Sequence, residues 1–193
     1  MELYLATQNE HKVIEIQKVM PAHITIRSLK DLGCTEEIPE TQDSLEGNAI
    51  QKAEYIAHKY NVNCFSDDTG LEVSALNNEP GVYSARYAGP EKNAEKNMDL
   101  LLEKLGDSTD RRAQFRTVVA LVLAEKTHTF EGKVIGEIRS TKAGNGGFGY
   151  DPIFEPEQKG KTFAEMTLDE KNQCSHRARA VEKLVAFLKK EGA

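Results

Sequence analysis

Residues 2–28 read ELYLATQNEHKVIEIQKVMPAHITIRS, and this stretch decides the fold class. Its two ends, residues 2–6 and 23–28, alternate apolar and polar side chains, which predicts two short strands. Between them, apolar residues recur at helical spacing over residues 10–20, and Pro21 ends the predicted helix. A strand–helix–strand unit normally closes as a right-handed parallel crossover, so the stretch predicts an α/β fold.

The rest of the chain continues this alternation of helices and strands. We find no internal repeat and no low-complexity segment, so the pattern favours one α/β domain with a mixed sheet. Apolar spacing predicts helices over residues 45–60, 98–105 and 177–190, and strands over residues 63–66, 117–123 and 130–138.

Two local signals refine these boundaries. Asp43 with Glu46 resembles a capping box before the first of the three later helices. The polar stretch Asp67-Asp68-Thr69-Gly70 is expected to end its strand, and such a sequence is also typical of a plain turn. Residues 144–149 are rich in glycine and predict a loop.

Composition and charge restrict the class of function. The 193 residues carry a formal net charge of -6, whereas a general nucleic-acid binder is normally basic. A small phosphorylated ligand remains compatible with this charge if the cations converge on one site. The chain has no long apolar run, its first residues lack the pattern of a signal peptide, and its three cysteines are scattered. We therefore expect a cytoplasmic protein that binds neither membrane nor nucleic acid.

Three polar groups follow the first strand and predict an anion site. Thr7, Asn9 and Lys12 lie where that strand leads into a helix, and free backbone N–H groups at a helix N-terminus favour an anion. An ordinary helix cap with a solvated lysine fits the spacing equally well. The sequence is not a Walker A loop, because the required glycine and lysine pattern is missing.

Acidic residues supply candidates for a metal site. Asp67 and Asp68 occupy the predicted strand end where open α/β sheets place their ligands. Adjacent strand residues point to opposite faces, so the two carboxylates need not share one role. Glu40, in a loop before a helix, could add a second carboxylate to a Mg²⁺ ion. Taken alone, Glu40 and Lys52 fit solvated surface positions.

The second half offers groups suited to a nucleobase. Phe148 is flanked by glycines, which leaves room for a planar group against its ring, although a tight turn with a core aromatic fits as well. Asp151 could accept hydrogen bonds from a base or a ribose. His176 and Arg177 can donate to the 6-keto oxygen that inosine and xanthosine carry and adenine lacks. The alternative is a basic helix start, which opposes the helix dipole.

Seven short motifs stand in order along the chain: residues 6–12 (ATQNEHK), 39–41 (PET), 48–49 (NA), 66–70 (SDDTG), 80–87 (PGVYSARY), 146–152 (GGFGYDP) and 175–177 (SHR). Together they resemble the inosine triphosphate pyrophosphatase family, also called the Ham1-like family, in its bacterial branch. The resemblance covers nearly the whole chain. Thr69 stands where many relatives have serine, which keeps the hydroxyl group.

The resemblance implies a fold, an assembly and an activity. The fold would be one domain over residues 1–193 with two α/β lobes around a long mixed sheet, with the active site in the cleft between lobes. The protein would be a Mg²⁺-dependent homodimer that converts dITP, ITP or XTP to the monophosphate and pyrophosphate, which keeps aberrant purines out of nucleic acids. A Maf-like pyrophosphatase for pyrimidine or modified nucleotides and a nucleotide sensor without catalytic activity remain alternatives.

The resemblance also implies a role for each site residue. Glu40 and Asp68 would hold Mg²⁺, and Asp68 would act as the general base with Asp67 in support. The triphosphate would contact Thr7, Gln8, Asn9, Glu10, His11, Lys12, Lys52 and Thr69. The base and sugar would contact Phe148, Gly149, Tyr150, Asp151, Lys171, His176 and Arg177.

Overall fold

The computed structural model describes residues 1–192, and these residues form an α/β fold. No helix among them is both long and apolar enough to cross a membrane. The helices are α1 (Glu10–Val19), α2 (Leu45–Tyr60), α3 (Ala94–Leu105), α4 (Leu168–Asn172) and α5 (His176–Lys190). The strands are β1 (Glu2–Leu5), β2 (Thr25–Arg27), β3 (Cys64–Val73), β4 (Glu79–Pro80), β5 (Arg112–Leu123), β6 (Lys126–Ile138) and β7 (Phe154–Pro156).

The sheet is mixed, as the sequence predicts. Its strand order is β2-β1-β3-β5-β6-β7, and β4 pairs with β3 off this path. Strand β1 is parallel to both β2 and β3, with Leu3 opposite Ile26 and Leu5 opposite Phe65. The pairs β3–β4 and β6–β7 are antiparallel. The parallel pairing of β1 with β2, with α1 between them in the chain, confirms the parallel strand–helix–strand unit expected from residues 2–28.

The chain divides into two compact units. Among the described residues, the first unit comprises residues 1–68, 117–132 and 177–192. Its apolar core joins β1, β3, β5 and α5, and its most buried members have no exposed surface. They include Leu3, Leu5, Ile16, Phe65, Val119, Leu121, Val181 and Leu184.

The second unit comprises residues 69–116 and 133–176. Its core is rich in aromatic side chains, and Phe115, Phe154 and Phe163 pack against one another. Apolar residues of α3, including Met98 and Leu101, complete this core. The single two-lobed domain expected for residues 1–193 stays a prediction.

Helix α2 begins and ends where the apolar spacing predicts, but its cap differs. Ser44 is the N-cap, and its side chain accepts a hydrogen bond from the backbone N–H of Gly47. The predicted box of Asp43 with Glu46 is therefore wrong by one residue. The Glu46 carboxylate instead accepts a hydrogen bond of 3.2 Å from Thr129 on β6.

Strand β3 is longer than the sequence predicts. The stretch Asp67-Asp68-Thr69-Gly70 continues the strand to Val73 and forms no turn. Two buried apolar residues, Leu71 and Val73, follow the polar stretch and anchor the extension in the core of the second unit. Both aspartates consequently lie in the middle of β3, where successive side chains point to opposite faces.

Candidate active site

The loop between β1 and α1 is shaped by its own polar side chains. Asn9 is the N-cap of α1, and its Oδ1 accepts a hydrogen bond of 3.0 Å from the backbone N–H of His11. Thr7 Oγ1 in turn accepts one of 3.1 Å from the N–H of Asn9. These two hydrogen bonds fix the backbone conformation at the start of α1.

The other predicted phosphate contacts in this loop lie at the surface. Gln8 donates from Nε2 to the backbone oxygen of Glu36 at 3.0 Å. Glu10 pairs with Lys30 at 3.2 Å, and both side chains are mostly exposed. His11 is exposed as well. Their roles toward phosphate stay predictions.

Four charged residues form a buried ion-pair network in the first unit. Lys12 Nζ lies 3.1 Å from Oδ2 of Asp67, and Arg177 Nε donates to the same oxygen at 3.2 Å. The guanidinium of Arg177 also pairs with the carboxylate of Glu15 on α1. The side chains of Asp67, Arg177 and Glu15 are at most 6% exposed. Charges this deep are stable only when they are paired.

The network keeps Asp67 ionised. Burial by itself would raise the pKa of this carboxyl group, but the nearby cations Lys12, Arg177 and Lys52 outweigh burial and lower the pKa below its ordinary value. Burial lowers the pKa of Lys12 in spite of the Asp67 charge. A carboxylate with a depressed pKa is a weak proton acceptor, so Asp67 is suited to holding cations in place.

A second cluster, the carboxylate cluster of Glu40, Lys52 and Asp68, lies beside this network, and Lys12 and Lys52 both contact the backbone oxygen of Asp67. Lys52 Nζ on α2 is 2.6 Å from Glu40 Oε1 and 3.1 Å from Asp68 Oδ1. It also donates to the backbone oxygen of Asp67 at 2.9 Å. Burial raises the pKa of Asp68 even though Lys52 opposes that shift. The two adjacent aspartates thus have different environments, as the alternation of a strand requires.

The donor atoms of this cluster suit a hard divalent cation. Two carboxylates and a main-chain carbonyl oxygen converge on one point, and oxygen ligands of this kind are those that Mg²⁺ takes. The described residues contain no larger group of His, Cys, Asp or Glu side chains that could hold a metal. Glu40 and Asp68, predicted from distant parts of the sequence, are brought together here.

A third group, the Phe148 loop, belongs to the second unit. The carboxylate of Asp151 accepts hydrogen bonds from the backbone N–H of Phe148 at 2.8 Å and from Lys171 Nζ at 2.7 Å. The ammonium of Lys171 also lies 4.8 Å from the centre of the Phe148 ring. A Cβ atom at Gly147, where φ is 70°, would be 2.0 Å from this carboxylate. The loop is therefore built around Asp151 and requires glycine at position 147.

Two further predicted residues of the second unit are part of its core. His176 stacks on Phe115 with ring centres 4.6 Å apart and planes inclined by 17°. Tyr150 is buried, and its hydroxyl donates to the backbone oxygen of Ser84 at 2.8 Å. Burial raises the pKa of Tyr150. Gly149 has a positive φ of 63°, and Thr69 is half-buried on β3.

Glu15 and Ser84 have contacts that the sequence did not indicate, although Ser84 lies within the motif at residues 80–87. Glu15 lies three residues after Lys12 and therefore on the same face of α1, which is a signal that could have identified it. Ser84 accepts a hydrogen bond from the backbone of Leu71 through its hydroxyl and from Tyr150 through its carbonyl. No spacing rule links Ser84 to these partners.

Comparison with known proteins gives consistent matches over almost the entire chain. The model of the Ham1 family matches residues 3–187. A dITP/XTP pyrophosphatase of Flavobacterium johnsoniae is 55% identical over 97% of this chain and 98% of its own length. Solved structures agree with these matches.

The Ham1 protein of Staphylococcus aureus has a TM-score of 0.90 and 43% identity, and the match covers 99% of this chain and 100% of that one. A HAM1 protein from Coxiella burnetii gives a TM-score of 0.90 at 36% identity, covering 98% of this chain and 99% of that one.

Proposed function

Because the chain belongs to the Ham1 family, we propose that it hydrolyses noncanonical purine nucleoside triphosphates, such as dITP, XTP and ITP, to the monophosphate and pyrophosphate. The protein is then a hydrolase acting on an acid anhydride bond, and it removes deaminated purines from the nucleotide pool. The name dITP/XTP pyrophosphatase, which relatives at 55% and 52% identity carry, supports this activity.

The observation that carries the proposal is the carboxylate cluster beside the buried ion-pair network. Glu40 and Asp68 lie within 3.1 Å of a single ammonium, that of Lys52. Lys12 Nζ is 3.5 Å from the same Asp67 carbonyl oxygen that Lys52 contacts. Carboxylates and cations arranged in this way match the needs of a polyphosphate with a divalent cation, because catalysis of phosphoryl transfer depends on placement and charge neutralisation.

The chain's own residues would act on the triphosphate as follows. Asp68 accepts a proton from water, whose oxygen attacks the α-phosphorus while the bond to the β-phosphate oxygen breaks and pyrophosphate leaves. Lys12 faces the phosphates with its positive charge. Asp67 and Arg177 keep the Lys12 ammonium in place. The turn formed by Thr7 and Asn9 sets the start of α1, and a helix N-terminus favours an anion.

We propose that Mg²⁺ is the cofactor and that Glu40 and Asp68 hold it. When bound, Mg²⁺ would neutralise phosphate charge and lower the pKa of the attacking water. The oxygen donors of the cluster support this choice over softer metals. We also propose that the protein is cytoplasmic and that it forms a homodimer. The family resemblance supports the homodimer, and light scattering of the purified protein would test it.

Phe148, Lys171 and His176 would hold the purine base. We propose that Phe148 stacks on the base and that Lys171 and His176 donate hydrogen bonds to keto oxygens. An adenine base presents an amino group at the same position, and an unmatched polar group costs on the order of 1–3 kcal/mol. Arg177, which the sequence also assigns to the base, is engaged with Asp67 and Glu15, so we propose that it acts on the phosphate side.

The experiment is to measure pyrophosphate release with Mg²⁺ from ITP, XTP, dITP, ATP, GTP and TTP. Strong preference for the first three is the expected result. Turnover of the pyrimidine nucleotide instead would favour the Maf-like activity. If no nucleotide released pyrophosphate, the proposed function would fail and a binding protein without catalytic activity would remain.

A further inference from the structure

Lys52 occupies the centre of the carboxylate cluster, where its ammonium uses all of its donor capacity. An ammonium group has three N–H donors. Lys52 Nζ has three oxygen partners: Glu40 Oε1 at 2.6 Å, the Asp67 backbone oxygen at 2.9 Å and Asp68 Oδ1 at 3.1 Å. The ammonium therefore contacts the same kinds of oxygen that a Mg²⁺ ion would require.

This position is built into the fold. The Lys52 side chain is 6% exposed and extends from the middle of α2. Helix α2 is fixed against β3, where the Ser66 hydroxyl donates to the backbone oxygen of Ala49. A buried lysine costs free energy unless it is paired. The pairing with Glu40 and Asp68 is thus a specific contact, unlike a surface lysine that samples several partners.

A divalent cation and the Lys52 ammonium could not both contact these oxygens closely. Mg²⁺ binds oxygen at about 2.0–2.1 Å, so an ammonium that stayed hydrogen-bonded to the same oxygens would be strongly repelled by the bound ion. Two carboxylates face one ammonium in the cluster, which favours replacement of the single charge by a double charge.

We propose that the Lys52 ammonium is an exchangeable counter-ion, which holds Glu40 and Asp68 together until a divalent cation displaces it from their oxygens. The inference rests on the proposed function and adds a positioning role for Lys52. Displacement frees a positive charge beside the cluster, where the phosphates of a nucleotide would accept it. The displaced ammonium would thus move from protein carboxylates to the substrate.

The inference makes a specific prediction for metal affinity. If Lys52 competes with the metal, only the fraction of molecules with Lys52 withdrawn can bind it, and the apparent dissociation constant is raised accordingly. Removing the ammonium should therefore tighten metal binding, even though it removes a residue of the site. If Lys52 only organised the site, its removal would weaken metal binding.

The test is a titration of the nucleotide-free protein with Mn²⁺, in which electron paramagnetic resonance measures the concentration of the free ion. We expect Lys52→Met to lower the dissociation constant by about tenfold or more, as for removal of a competing state. Lys59→Met is the matched control, because Lys59 lies on the same helix and pairs with Glu36 at 2.5 Å, away from the cluster. An unchanged or weakened affinity in folded Lys52→Met would overturn the inference.

The wild-type protein provides a second test that does not depend on a variant. Acetic anhydride labelling with mass spectrometry should show more acetylation of Lys52 with saturating Mg²⁺ than without it, while Lys59 stays constant. Equal labelling of Lys52 at saturating Mg²⁺ would contradict displacement. If the wild type hydrolyses ITP while both tests fail, the displacement is wrong and the reaction stands. If Lys52→Met binds Mn²⁺ more tightly than the wild type but the wild type hydrolyses no nucleotide, the proposed function is wrong and the displacement of Lys52 stands.

Discussion

Arg177 Nε donates a 3.2 Å hydrogen bond to Oδ2 of Asp67, and this contact joins the first turn of α5 to the middle of β3. Both side chains are almost completely buried. The contact explains why a basic residue begins α5 although the helix dipole disfavours a cation there, because the carboxylate compensates the charge. The two adjacent aspartate side chains thus have different partners. That of Asp67 pairs with Lys12 and Arg177, whereas that of Asp68 belongs to the carboxylate cluster.

Asp67→Asn is expected to destabilise the protein. The substitution leaves the buried cations of Lys12 and Arg177 without their shared carboxylate, and breaking a buried ion pair in this way costs about 3–5 kcal/mol. Urea unfolding, followed by circular dichroism, measures the change in the free energy of unfolding. A loss no larger than that of an exposed substitution would show that the network contributes little to stability.

Asp68→Asn is expected to retain the fold and lose activity. Asp68 is the proposed proton acceptor, and general base catalysis contributes roughly 10²–10⁴-fold to a rate. We expect kcat for ITP to fall by that order, with a much smaller change in unfolding free energy than in Asp67→Asn. Near-normal turnover by the purified variant would remove Asp68 from its proposed role.

Glu15 and Arg177 are expected to be strongly coupled. A double-mutant cycle with Glu15→Gln and Arg177→Met should give a coupling energy of about 1–3 kcal/mol in unfolding, because the pair is buried and shares a network. The exposed pair of Glu36 and Lys59 provides the control, for which we expect no coupling outside experimental error. Additive effects of Glu15→Gln and Arg177→Met would contradict the network.

Phe148→Ala is expected to weaken nucleotide binding. Base stacking on an aromatic ring is worth about 1–3 kcal/mol, so KM for ITP should rise by roughly 5- to 150-fold, with a smaller change in kcat. Tyr55→Ala, which removes a partly exposed aromatic side chain of α2, is the control. If the substitution left KM unchanged for every purine nucleotide tested, stacking of the base on Phe148 would be contradicted.

Cys64 is expected to stay unreactive at mildly alkaline pH. Burial raises the pKa of its thiol to about 12, and only the thiolate reacts with iodoacetamide. The thiol of the unfolded chain ionises above its ordinary pKa of 9.0, whereas the buried thiol stays protonated. Ionisation therefore favours the unfolded state, and the free energy of unfolding falls as the pH rises above 9.0. Mass spectrometry of alkylated peptides at pH 7 to 9 provides the readout, and rapid native labelling of Cys64 would contradict the assignment.

The sequence predicts the elements of the fold well where periodicity is strong. The bounds of α2 are as predicted because its apolar residues recur at helical spacing over 16 residues. Strand β3 shows where local preference fails, since Thr69 and Gly70 suggest a turn. Their strand conformation depends on pairing partners and on the buried Leu71 and Val73, which only the tertiary structure reveals.

The candidate site was predictable in its residues more than in its contacts. The sequence itself offers Asp68 and Glu40 as metal ligands, and the family resemblance assigns Lys52 to phosphate, but no spacing indicates that the lysine lies between the two carboxylates. Glu15 was missed because an acidic residue on an amphipathic helix is usually solvated. Its partner Arg177 is 162 residues away in sequence, and contacts of that separation follow from the packing of the core.

The most direct measurement is hydrolysis of ITP in H₂¹⁸O with Mg²⁺, with mass spectrometry of both products. If water attacks the α-phosphorus as proposed, inosine monophosphate carries one ¹⁸O atom and the pyrophosphate carries none. Label in pyrophosphate, formation of inosine diphosphate, or no turnover of ITP would contradict the account.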